Sequence, residues 1–117
     1  MTASTVGQHP PIGDGLRAAA ERIREVGLAK GATRRADGSM CALGAISWAT
    51  GESGFARYCA GRGLMLTVIG TEWVAEWNDA PERTADEVIA ALEAAADLAD
   101  AEARQCPPPL RASGRWA

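Results

Sequence analysis

Residues 73–92, WVAEWNDAPERTADEVIAAL, decide the fold of this chain. Trp73 and Trp77 stand one helical turn apart, and Asn78-Asp79-Ala80-Pro81 follows at once. Proline removes a backbone donor and keeps its predecessor out of the helical region, so a helix has to end here. Asn78 and Asp79 are the residue types that satisfy the backbone groups bared at such a corner. Thr84-Ala85-Asp86-Glu87 is a capping box, in which the threonine hydroxyl accepts from the backbone at Glu87 and the glutamate reaches back. Asp86 and Glu87 also suit the positive end of a helix dipole. From Ala85 to Ala103, the residues Val88, Ile89, Leu92, Ala96 and Ala99 fall on one helical face. Glu93, Asp97 and Asp100 are expected to face water.

Upstream, Leu66, Ile69, Trp73 and Trp77 recur at helical spacing. That periodicity predicts one continuous face bearing both tryptophans, with Trp48 close by. Val68, Ile69 and Gly70 weaken the helix reading, and a short strand at Leu64–Ile69 is the alternative. Phe55, Tyr58 and Cys59 predict a short helix or two turns, ended by Gly61 and Gly63. Before them, SMCALGAISWATG (residues 39–51) carries no charge between Met40 and Thr50. A helix apolar on every side belongs in the middle of a core. Ser39 is expected to cap it and Gly51 to stop it, with the Cys41 sulfur hidden. Gly44 costs about 1 kcal/mol relative to alanine inside a helix, which implies a packing reason. The first helix is expected over Gly15–Val26, capped by Asp14, apolar at Leu16, Ala19, Ile23 and Val26, and stopped by Gly27. Lys30 to Gly38 (KGATRRADG) reads as a charged loop.

The predicted fold is therefore all-α: a compact bundle of four or five helices, with one short strand as the variant. Residues 1–13 read as a mobile arm, 14–105 as a single helical domain, and 106–117 as a Pro-rich tail. The chain has 117 residues, 47% hydrophobic and 23% charged, which suits one packed domain. A net charge of −3 argues against nonspecific nucleic-acid binding, which needs clustered cations. No apolar run approaches the ~20 residues that span a bilayer. The first residues lack the pattern of a secretion signal, and three cysteines form no disulfide framework, so a reduced, cytoplasmic setting is expected.

Several groups invite a chemical reading. Cys41 lies near a helix start, where reactive thiols occur, and the Asn78/Asp79 corner can orient a base for it. The sole histidine, His9, is in the N-terminal arm, so a small apolar residue in a buried helix is the simpler reading of Cys41. Cys41, Cys59, Cys106 and His9 match no compact zinc spacing, and no cofactor or metal is implied. Asn78, Asp79, Arg83 and Thr84 are either a recognition cluster or a set of caps, with Arg83 paired to Asp79. Trp73 and Trp77 pack in the core or line a groove for a partner helix or a planar ligand. Lys30, Arg34 and Arg35 form a small basic loop.

GSMCALGAI (residues 38–46) together with WNDAPERTADEVIAAL (residues 77–92) resembles a family of short proteins found in actinobacteria and their phages. The resemblance spans roughly Leu16 to Ala96. It implies a compact, mainly helical domain and implies no activity. The expected function is a non-enzymatic binding module for a protein or small molecule, contacting it through Trp73, Trp77, Asn78, Asp79, Arg83 and Thr84. The alternatives are a small enzyme using Cys41 and a nucleic-acid-associated regulator using the Lys30–Arg35 loop.

Overall fold

The computed structural model describes residues 11–51 and 54–105. Among these the chain forms five helices: α1 (Ile12–Val26), α2 (Ala42–Thr50), α3 (Phe55–Ile69), α4 (Val74–Asp79) and α5 (Ala85–Gln105). The all-α expectation holds. The segment at Leu64–Ile69 is helix, and the extended pairing among the described residues is limited to isolated bridges from Met40 to Leu28 and Arg34. The Pro-rich tail, His9 and Cys106 lie outside the described residues.

α5 begins where the capping box places it. The Thr84 N–H donates to Glu87 Oε1 at 3.0 Å, and the Glu87 N–H donates to Thr84 Oγ1 at 3.2 Å. Its apolar face buries Val88, Ile89, Leu92, Ala96 and Ala99, with Ala91 and Ala95 beside them. That face packs on Leu16, Ala19, Ala20 and Ile23 of α1. Alanines on both sides keep the two helices close. The ion pairs fix their antiparallel sense: Arg17 reaches Asp97 and Asp100 at 2.9 and 2.7 Å, and Arg24 reaches Glu93 at 2.8 Å. The acidic stripe expected to face water does so at Asp97, is half-buried at Glu93 and Asp100, and is paired throughout with arginines of α1.

Other details depart from the sequence reading. α1 starts at Ile12, not Gly15, with Pro11 in the cap position and no side-chain cap. Pro11 presets the backbone ahead of the first turn, and Asp14 lies in that turn, favourable to the dipole but not capping. α3 runs straight through Gly61 and Gly63. Gly61 is buried, and a Cβ there would come within 2.9 Å of Ile46 Cγ2, so this glycine serves close packing on α2.

The continuous helix expected from Leu66 to Trp77 is broken. α3 ends at Gly70, whose φ of 80° is the left-handed conformation that stops a helix. The Trp73 N–H then donates to Thr71 Oγ1 at 3.1 Å, and α4 starts at Val74. Trp73 is consequently 62% exposed, and Met65 and Val74 fill the core in its place.

α2 is not enclosed on every side. Ala42, Ala45, Ile46 and Thr50 are buried, whereas Ser47 is exposed and Trp48 is 42% exposed. Lack of charge gave no guarantee of burial. Ser39 does not cap α2: its N–H and hydroxyl both bond Asp37 Oδ1, at 2.9 and 2.6 Å. The cap is Cys41, whose Sγ accepts from the Gly44 N–H at 3.3 Å.

Candidate functional site

Two groupings stand out: the corner after α4, and a cleft between α2, the first turn of α3 and the 28–41 loop.

At the corner, Asn78 is wholly buried. Its Oδ1 accepts from the Ala42 N–H at 2.9 Å, and its Nδ2 donates to the Ala29 carbonyl at 2.9 Å and to Asp79 Oδ1 at 3.0 Å. The first N–H groups of a helix have no partner within it, so Asn78 caps α2 from 36 residues away. Asp79 Oδ1 also accepts from the Gly31 N–H at 2.9 Å. Lys30 Nζ donates to the Ala80 and Pro81 carbonyls at 2.6 and 3.2 Å. Arg83 is not the partner of Asp79. Its Nε donates to the Trp77 carbonyl at 2.9 Å, its guanidinium lies 4.1 Å from the Trp77 ring centroid, and it pairs with Glu87 at 3.6 Å. Thr84 is the N-cap of α5. Asn78, Asp79, Arg83 and Thr84 are thus brought together with Trp77 as a clasp, which ties the 28–41 loop to α2 and to the turn before α5. Trp73 sits apart at the start of α4. Trp48 does not join the other tryptophans in a ring pair among the described residues, and Arg22 lies 4.8 Å over its ring.

The clasp shapes the second grouping. Within the 28–41 loop, the Thr33 carbonyl accepts from the Cys41 N–H at 3.1 Å and lies over α2 at Gly44. Any Cβ at Gly44 would overlap that carbonyl oxygen, which supplies the packing reason the sequence implied. A loop thus meets a helix here, where the sequence suggested two helices. Beside this contact opens a cleft of about 670 Å³, lined by Thr33, Arg34, Leu43, Gly44, Ser47 and Thr50 and by Gly51, Gly54, Phe55 and Tyr58. Phe55 is 77% exposed, and its ring stacks on Tyr58 at 6.4 Å between centroids. Partial burial pushes the Tyr58 phenol above its ordinary pKa. Cys41 is near but does not line this space; it is 5% exposed, and its sulfur is engaged by Gly44.

The sequence marked Arg34 only as part of a basic loop and left it and Ser47 unconnected to the Phe55–Tyr58 turn. Nothing local links them, because the cleft exists only once the loop is folded onto α2.

Residues 8–98 match the model of a family described as a family of unknown function, DUF6197. The chain belongs to this family. The match extends from before α1 into the later turns of α5, so both the clasp and the cleft lie inside the DUF6197 region. No curated protein and no solved structure matches the chain. No described helix is long and apolar enough to cross a membrane.

Proposed function

We propose that this DUF6197 domain is a non-enzymatic binding module that receives its ligand in the cleft between α2, α3 and the 28–41 loop. The observation that carries this is the cleft itself: about 670 Å³, with Leu43, Phe55 and Tyr58 beside glycines, hydroxyl residues and, among the described residues, one cation, Arg34. Binding sites for small molecules have this size and this mixture. Burial of Asn78 and the backbone bonds of Arg83 and Thr84 favour a structural role for the corner. The exposed indole of Trp73 supplies a second surface, suited to a protein partner. The burial of Cys41 weighs against thiol chemistry, and the tethering of Lys30 to two carbonyls holds its side chain at the corner. The resemblance to short proteins of actinobacteria and their phages, with Cys41 and Cys59 both free, favours a bacterial cytoplasmic setting.

An NMR fragment screen on the full chain tests this. Saturable shifts are expected at Thr33, Gly44, Ser47 and Tyr58, with every bound fragment recovered unchanged. Shifts concentrated away from the cleft, or chemical conversion of a bound fragment, would overturn it.

A further inference from the structure

Arg34 differs from most arginines of this protein. Arg17, Arg24 and Arg83 pair with carboxylates, Arg22 pairs with Glu25 and covers Trp48, and Arg35 and Arg62 donate to backbone carbonyls. Among the described residues Arg34 has no hydrogen bond or ion pair, yet it lines the cleft and is the sole charged residue among them to do so. The Phe55–Tyr58 stack lines the same cleft, and the Phe55 ring is largely exposed. The hydroxyl residues Thr33 and Ser47 line the cleft with Arg34. A guanidinium takes a carboxylate through two parallel N–H···O bonds, and hydroxyls add donors to the same group. An exposed phenyl ring offers a face for offset or edge-on packing against another ring.

Taking the cleft as the binding site, the geometry points to a planar aromatic monocarboxylate as its ligand class, with the carboxylate on Arg34 and the ring against Phe55. The one cation among the described lining residues matches one negative charge. A dianionic phosphate would leave a charge uncompensated in a protein whose net charge is already −3. The volume accommodates a two-ring compound with room to spare.

The test is a titration of the full chain, followed by ¹H–¹⁵N NMR, with 2-naphthoate and its neutral counterpart 2-naphthalenemethanol. Naphthoate is expected to saturate shifts at Thr33, Arg34, Ser47 and Tyr58, and the alcohol to bind about tenfold more weakly. Arg34→Gln should bring naphthoate down to the level of the alcohol without changing the affinity of the alcohol. Phe55→Ala should weaken both equally. Equal binding of the two probes, or naphthoate affinity unchanged in Arg34→Gln, would overturn the carboxylate assignment and leave the cleft as a binding site. The absence of saturable shifts with either probe would overturn the site as well.

Discussion

Replacing Asn78 with alanine should cost this domain a large share of its stability. The side chain is fully buried and makes two bonds to buried backbone groups, the Ala42 N–H and the Ala29 carbonyl, both at 2.9 Å. Truncation leaves both groups without partners, at about 1–3 kcal/mol each, so the expected loss is about 2–6 kcal/mol. Against a typical domain stability of about 5–15 kcal/mol, that approaches unfolding at the low end. Urea denaturation followed by tryptophan fluorescence reads the change. With an m-value of about 2 kcal/mol/M, a mid-range loss of about 4 kcal/mol lowers the midpoint by about 2 M. Asp79→Ala is the control. It removes the acceptor for the exposed Gly31 N–H, which water can replace, and leaves both backbone bonds of Asn78 in place. Its cost should stay below about 1 kcal/mol. A loss under about 1 kcal/mol for Asn78→Ala, or an equal loss for the two variants, would refute the idea that this amide clamps the loop to α2.

Gly44→Ala should destabilise by about 1–3 kcal/mol despite the better helix propensity of alanine, because the new methyl displaces the Thr33 carbonyl; a neutral or raised thermal midpoint would contradict the packing. Thr84→Ala should cost about 1 kcal/mol by urea denaturation, through loss of the cap on the Glu87 N–H. Asp37 titrates below the usual carboxylate range because the Ser39 hydroxyl, and then the Ser39 N–H, donate to it. A depressed folded pKa adds stability above the ordinary value, and that stability is lost as pH falls through the folded one. Ser39→Ala should therefore move the Asp37 titration upward in a carboxyl-detected NMR titration, and an unmoved midpoint would show that the hydroxyl is not the cause.

The parts of this fold legible in the sequence are those set by neighbours in the chain. The Thr84–Glu87 box, the break at Pro81, the apolar face of α5 and the stop at Gly27 all depend on residues within one or two turns. The misreadings arose where local pattern and tertiary demand diverge. Gly70 interrupts a periodic run that otherwise continues to Trp77, and its left-handed φ outweighs the spacing of the apolar residues. Gly61 looks like a helix stop because it lacks a side chain, but that lack is what lets α3 approach Ile46. Cys41 displaced Ser39 as the cap because the loop hydrogen bonds at Met40 and Cys41 set where α2 can begin. The residues of the corner were visible in the sequence, and so was the cap role of Thr84, but the roles of Asn78 and Arg83 were not. Asn78 serves a helix 36 residues upstream, and no spacing rule carries that information. The cleft was hidden for the same reason, since its walls come from three separate segments.

Amide hydrogen exchange at Ala42 tests the central role of Asn78 most directly. First-turn amides of a helix ordinarily exchange fast, for want of a partner. The bond to Asn78 Oδ1 predicts protection at Ala42 comparable to that of Ile46 in the core of α2. Exchange at Ala42 as fast as that of an unprotected loop amide would contradict the clasp and, with it, the placement of the binding cleft.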